Sequence, residues 1–285
     1  MKNTLPHLIN LPPFVYRGLS VENYGLIRKV FFVIYGKIIS LTVNFTEKKI
    51  FCFLINLFFR DTKVVYSSGM YASQYNDKII YFPNKRVLRF VNNPNLTIDR
   101  IYNSYCLDFI SFDSNDKVID CGANVGELYV ALESKKINVE YIAFEPDANT
   151  FDCLSLNNQS GNLHNVALSN INKEEDFYLD NEGGNSSLID FGAQKSIKVQ
   201  SKKLDSFNFK NIKLLKIDAE GYEPEVLEGA VNTLKEIEYV SVDFGSERGV
   251  KQENTVAEVN KIMYENNFHL YKFSEFRIIG LYKRN

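Results

Sequence analysis

Apolar and polar positions change period along the 285-residue chain. Over residues 26–41, Arg28, Lys29, Gly36, Lys37 and Ser40 fall on one helical stripe and leave a wide apolar face, which predicts an amphipathic helix. A second apolar run covers residues 50–59. Between residues 60 and 115, short β-branched or aromatic runs at 64–66, 79–82 and 86–90 are divided by Ser-Ser-Gly, Asn-Asp and Pro-Asn turn signals. That texture predicts a small β meander. Residues 95–109 then carry Leu96, Ile101 and Tyr105 near helical spacing.

From Asp116 onward the order becomes regular. Strands are expected at 117–121, 139–144, 162–168, 213–217 and 238–244, and helices at 126–134, 148–158, 224–236 and 255–267. Such alternation implies βαβ units and an α/β fold with a parallel sheet between helices. Two closing strands, 269–273 and 277–282, are separated by only residues 274–276. No crossover fits there, so they must be antiparallel. The chain divides into residues 1–110, an N-terminal α+β extension, and residues 111–285, the ligand-binding domain.

Composition narrows the class. With 45% hydrophobic and 24% charged residues, 15 Gly and 7 Pro, the chain is neither disordered nor collagen-like. A net charge of −2 argues against nucleic acid as a partner. Cys52, Cys106, Cys121 and Cys153 form no CxxC pair, which suits a reducing, cytoplasmic setting without a zinc site. Charge is unevenly placed, however: residues 1–60 hold eight Lys/Arg against two acids. Arg28, Lys29, Lys37, Lys48 and Lys49 keep every uncharged run short of the ~20 residues of a membrane span. The apolar stretch also begins too late for a secretory signal. Two readings stay open for it: packing on the protein's own core or a homodimer interface, or an interfacial surface that meets an anionic membrane or an amphiphilic substrate.

Candidate chemistry collects at the expected strand ends, where ligands bind in such sheets. Gly122 and Gly126 allow a tight turn after the first strand, and Asn124 between them offers an amide. The dinucleotide pattern G-x-G-x-x-G is absent, because Asn124 and Glu127 stand at its second and third glycine positions. A nicotinamide dehydrogenase, lacking its phosphate loop, stays a minor alternative. Asp120, just before the turn, repels a pyrophosphate and attracts an ammonium. Glu145, ending the second strand, suits two ribose hydroxyls. A nucleoside carrying an amino acid fits this set, which describes S-adenosylmethionine (SAM). Farther on, Asp218 and Glu220 stand two residues apart at the end of the fourth strand and would project to one side. A hydroxyl acceptor needs a base of this kind. Their alternative duty is capping the following helix. Asp243 is a third acid on that rim, and paired acids there could hold Mg²⁺. His164 and His269 read as structural, His7 as part of a Pro-rich tail, Cys121 and Cys153 as core, and Glu174-Glu175-Asp176 as a solvated turn.

Four segments in order, Val118-Ile119-Asp120-Cys121-Gly122-Ala123-Asn124-Val125-Gly126, Ala143-Phe144-Glu145-Pro146, Asn165-Val166-Ala167-Leu168-Ser169 and Lys216-Ile217-Asp218-Ala219-Glu220-Gly221-Tyr222-Glu223, resemble the FkbM family of SAM-dependent methyltransferases. The likeness spans residues 115–245. It implies a class I methyltransferase (Rossmann-like) fold: a seven-stranded, mostly parallel sheet with an antiparallel last strand. It implies O-methylation of hydroxyls on carbohydrates, glycolipids, polysaccharides or related metabolites. By the resemblance, Asp120, Gly122, Asn124 and Gly126 would hold the methionine part, Glu145 the ribose, and Asn165 and Ala167 would flank the adenine. Asp218, Glu220 and Asp243 would face the methyl group or the acceptor, with Asn185-Ser186-Ser187 nearby. Residues 1–110 carry no such likeness. They are expected to select the acceptor, and residues 1–60 to bring a cytoplasmic enzyme to the inner face of the cell membrane. A non-catalytic SAM-fold scaffold or binding protein is the alternative.

Overall fold

The structure, a computed structural model, describes residues 24–180, 184–275 and 277–285. His7, Lys2, Arg17 and Glu22 lie outside them. The chain forms two compact units, Met1–Thr97 and Ile98–Asn285.

In the first unit, helices α1 (Leu26–Phe45) and α2 (Lys48–Phe58) precede an antiparallel meander of β1 (Lys63–Ser67), β2 (Met70–Tyr75) and β3 (Lys78–Phe82). Its core includes Phe51, Ile55, Phe82, Val87 and Phe90. The meander is real but its strands differ from expectation. The middle strand is Met70–Tyr75, whose mixed polarity hid it, and the run 86–90 lies in a 3₁₀ helix, Lys85–Phe90. Asn84 explains the change: its side chain accepts the Arg86 N–H at 2.9 Å, a cap that starts a helical turn. Among the described residues, no helix is long and apolar enough to cross a membrane.

Helix α3 (Pro94–Ser104) leads into the second unit. The single helix expected over 95–109 breaks at Cys106, which takes a left-handed φ of 57° before a 3₁₀ turn, Leu107–Phe109. Then follow β4 (Lys117–Cys121), α4 (Glu127–Ser134), β5 (Glu140–Phe144), α5 (Ala148–Asn157), β6 (Asn162–His164), β7 (Ala167–Leu168), β8 (Lys173–Leu179) and β9 (Lys195–Lys202). The remainder is β10 (Ile212–Ile217), α6 (Glu223–Glu228), β11 (Ile237–Asp243), α7 (Val256–Glu265), β12 (Phe268–Phe273) and β13 (Ile279–Arg284). Seven strands form the main sheet in the order β12-β13-β11-β10-β4-β5-β6. All neighbours from β11 through β6 are parallel, and β13 is antiparallel to both β11 and β12. This is the seven-stranded, mostly parallel sheet with an antiparallel last strand. Its central strands are buried on both faces: Ile119, Ile142, Leu215, Ile217, Val240 and Val242 belong to one core.

Three expectations change here. The strand expected at 162–168 splits, because only β6 joins the main sheet while β7 pairs with β9 in a second sheet, β7-β9-β8. The acidic run 174–176 is not a turn. It lies in β8, where Phe177 is buried beside it and Asp176 pairs with Lys198 of β9 at 2.9 Å. Finally, the helix expected over 224–236 ends at Glu228. Gly229 follows with its Cα against the Ser169 carbonyl, where a Cβ would meet that oxygen at 2.0 Å.

Candidate active site

Strand order reverses between β4 and β10: β5 and β6 follow β4 outward on one side, β11 and its neighbours follow β10 on the other. A crevice at such a reversal is where α/β sheets bind ligands. Cys121 and Ile217 end the two strands side by side, and the Asp218 N–H donates to the Cys121 carbonyl at 3.2 Å. Gly122 then turns away with φ +72°, and a Cβ on it would stand 2.0 Å from the Asp218 carbonyl oxygen. Only glycine fits there. The Gly122 and Ala123 N–H groups both donate to Phe144 O, at 3.1 and 3.0 Å, which ties the turn to the end of β5. Gly126 caps α4 at φ +86°, and its bare Cα accommodates Leu154, whose Cδ1 would lie 2.9 Å from a Cβ.

Glu145 stands beyond β5 and turns back toward this loop. Its Oε2 accepts the Asn124 N–H at 2.9 Å and its Oε1 the Asp147 N–H at 3.0 Å. Burial pushes the carboxyl up to about 7 against these bonds, which favour the ionised form. An ionised carboxylate offers about four acceptor positions, so each oxygen keeps one beyond its backbone bond. Asn165 donates its amide to the carbonyls of Glu145 (2.8 Å) and Pro146 (3.0 Å) and thereby fixes the segment. The turn and Glu145 therefore form one hydrogen-bonded cradle.

Two residues expected in the cradle lie elsewhere. Asp120 is fully buried inside the sheet, beside Lys216 of β10 in the strand register. Lys216 Nζ stands 2.8 Å from its Oδ1, and the Tyr141 hydroxyl donates to its Oδ2. Desolvating a lone carboxylate this deeply would be costly, so a partner is required, and Lys216 supplies it. Lys216 also donates to the carbonyls of Cys121 (3.1 Å) and Gly122 (2.8 Å), so the ion pair braces the turn from beneath. Asp120 is thus paired within the protein, with Lys216 and Tyr141. Ala167 is likewise buried, packed with Phe177 and Val199 of the second sheet.

The expected acids do gather on the opposite lip. Asp218, Glu220 and Glu247 each offer a carboxylate oxygen within 4.8 Å of the others. Arg277, at the start of the closing strand region, joins the group: Nη1 lies 3.3 Å from Asp218 Oδ2, and Nη2 pairs with Asp243 Oδ2. The Tyr105 hydroxyl donates to the same Asp218 oxygen at 2.5 Å, while the Tyr105 carbonyl accepts from Ser241 Oγ at 2.9 Å. Tyr105 is buried, and burial beside Asp218 holds its hydroxyl protonated far above the ordinary tyrosine range. Burial, with the charges of Asp218 and Glu247 beside it, raises Glu220, and burial likewise raises Glu247. Asp243 rises to about 8, chiefly by burial and then by Asp218's charge, with Arg277 opposing. Burial thus works against the charged forms of Glu220, Asp243 and Glu247. Asp218 is the carboxylate that both Tyr105 and Arg277 address.

Exposure agrees with this division, since Asp218 and Arg277 side chains are 11% and 37% accessible against 2% for Asp243. Neither Asp218 nor Glu220 caps α6, whose start has no side-chain cap. Glu223, its first residue, instead fixes the preceding loop, accepting from the N–H groups of Ala219 (3.2 Å) and Gly221 (2.9 Å) and from the Thr255 hydroxyl (3.0 Å). Ser187 of the expected polar stretch reaches the same loop, donating to Ala219 O at 3.4 Å. Sequence reasoning missed Lys216, Tyr105, Arg277 and Glu247. Lys216 carried a signal, a second cation after Lys213 near the end of an otherwise apolar strand.

The chain is similar to known proteins. It is 26% identical over 174 residues to the methyltransferase sdnD of Sordaria araneosa, covering 45% of this chain and 66% of that protein. The chain thus spans slightly less than two thirds of that relative's length. Among solved structures it is similar to an FkbM methyltransferase from Methylobacillus flagellatus KT, with a TM-score of 0.45 and 16% identity over 69% of this chain and 52% of the other. It is also similar to a TehB-like SAM-dependent methyltransferase from Corynebacterium glutamicum, with a TM-score of 0.39 and 10% identity over 65% of this chain and 89% of the other. A sequence model described as "Methyltransferase FkbM domain" matches residues 120–270, more than half of the chain. The match takes in the Gly122 turn, Glu145, the acids after β10 and the first residues of β12, and on that extent the chain belongs to the FkbM methyltransferase domain family.

Proposed function

We propose that the protein is a SAM-dependent O-methyltransferase of the cytoplasm that methylates a hydroxyl of a carbohydrate, glycolipid or related metabolite. The observation that carries this reading is Asp218, a partly exposed carboxylate aligned by Tyr105 and Arg277. It lies one bare Cα away from the Gly122 turn. When bound, SAM supplies an electrophilic methyl group on a sulfonium. The residues present suit it: Gly122 leaves room at the turn, Asn124 borders it, and the free acceptor positions of Glu145 match a ribose diol. Asp120 has its charge answered by Lys216 and the N–H groups of residues 122–126 are bonded within the protein, so the ammonium of the amino-acid end falls to the backbone carbonyls there.

Asp218 accepts the proton of an acceptor hydroxyl as that oxygen turns nucleophilic. Arg277 and the Tyr105 O–H keep the Asp218 carboxylate oriented, while Asp243 holds Arg277. Glu220, raised to about 10 by burial beside Asp218 and Glu247, carries its proton near neutrality and serves as a hydrogen-bond donor to an acceptor oxygen. Because Arg277 already answers the cluster's charge, Mg²⁺ has no part in this proposal. Four buried free cysteines suit the cytoplasm.

The test is incubation of the full chain with methyl-labelled SAM and a panel of sugars, nucleotide sugars, polysaccharides and glycolipids. Label is expected in an ether that survives mild base. Label only on an amine or carbon would overturn the O-methyl reading. SAM binding without turnover on any acceptor would favour the non-catalytic alternative.

A further inference from the structure

Helix α1 shows two faces in the first unit. Gly36, Ile39 and Thr42 are buried. Ile27, Phe31, Ile34, Ile38, Leu41 and Phe45 are exposed, from 46% at Ile38 to 87% at Ile27. They recur at spacings of 4, 3, 4, 3 and 4 residues, so they form one continuous stripe along the helix. Helix α2 adds a second exposed set, Ile50, Phe53 and Leu57, opposite its buried Phe51, Cys52 and Ile55. Monomeric soluble proteins rarely leave this much contiguous apolar surface in water.

Charge decides what covers it. The two helices hold Arg28, Lys29, Lys37, Lys48 and Lys49 and no acid. Glu47, the acid between them, is already engaged by Lys85 at 2.5 Å and by the Tyr71 hydroxyl at 3.1 Å. A stripe at this spacing could seat a second copy as a coiled coil, but the copy would bring the same five cations and no acid to answer them. An anionic surface answers both features, taking up the apolar side chains while Arg28 and Lys37 reach phosphates at its border. We infer that α1 and α2 form a docking surface for an anionic lipid bilayer, on which they lie in the interfacial plane. The inference does not depend on the methyltransferase reading, because binding is scored without turnover.

The experiment is flotation of the full-length protein with phosphatidylcholine vesicles, with and without phosphatidylglycerol, at low and high salt. Binding to the anionic vesicles at low salt is expected to exceed binding to neutral ones by about tenfold and to fall as salt screens the cations. Lys37→Glu should weaken it severalfold. The double variant Phe31→Asp/Ile38→Asp, both positions solvent-facing, should abolish flotation while leaving the thermal melt unchanged. Failure to float with anionic vesicles at low salt would overturn the proposal, as would undiminished flotation of the double variant. So would self-association that the double variant removes, in the absence of any vesicle binding, since that result assigns the stripe to a second copy.

Discussion

Asp218→Asn is expected to lower kcat by about 10²–10⁴-fold, the usual contribution of a positioned general base. The argument is geometric. Asn keeps the shape of Asp, and its amide oxygen can still accept from the Tyr105 hydroxyl that now donates at 2.5 Å. Arg277 retains Asp243 as its second partner. The fold and the Gly122 turn therefore stay in place, while the group able to take a proton is gone. A residue that acts only as the acceptor hydroxyl loses its proton lowers kcat without weakening SAM binding. Turnover and affinity for S-adenosylhomocysteine (SAH), measured on the same preparation, separate the two. Near-normal kcat would remove Asp218 from the mechanism, and a joint loss of binding and melting temperature would make it structural.

The second large effect belongs to Gly122→Ala. The new methyl would stand 2.0 Å from Asp218 O and 3.1 Å from its carbonyl carbon, with φ at +72°. Both obstacles are backbone, so no rotamer change relieves them. The left-handed conformation alone costs an alanine ~1–2 kcal/mol, and forcing β4 and β10 apart adds a clash that places the total at about 4 kcal/mol or more. Chemical denaturation measures it. Gly192→Ala is the matched control, since φ is +88° there with nothing within 4 Å of the added Cβ. It should cost only the conformational part, ~1–2 kcal/mol. Equal costs for the two variants would show that the close approach of Gly122 to Asp218 does not hold. Where the Gly122 variant stays folded, displacement of the Asp218 backbone should remove activity as well.

These two positions and Glu145 were readable from sequence for a common reason: Gly122, Glu145 and Asp218 each stand at the end of an apolar run, where a strand must stop. Local pattern marks such places. It does not mark partnerships made across the sheet. The pairing of Asp120 with Lys216 was not legible, because the two lie 96 positions apart and meet only through the β4–β10 register. Arg277 and Tyr105 were invisible for the same reason, the one arriving from beyond β12 and the other from the end of α3, both converging on Asp218. The strands lost to sequence reading, Met70–Tyr75, Lys173–Leu179 and Lys195–Lys202, mix polar residues with apolar ones along their length. Alternation was present in the second, with Phe177 inward among acids, but three successive acidic side chains masked it.

Calorimetric titration of the full chain with SAH, from about pH 8 down to about pH 6, decides whether the Gly122–Glu145 cradle holds the nucleoside. Glu145 must be ionised to accept two ribose hydroxyls, and burial places its carboxyl at about 7. Protonation and ligand therefore compete: affinity is full above pH 7 and falls, approaching about tenfold per pH unit, once the carboxyl protonates. The account predicts that profile for the wild type, and for Glu145→Gln a weaker affinity that no longer changes over this range. Absence of SAH binding, or an identical pH profile in wild type and Glu145→Gln, would contradict it.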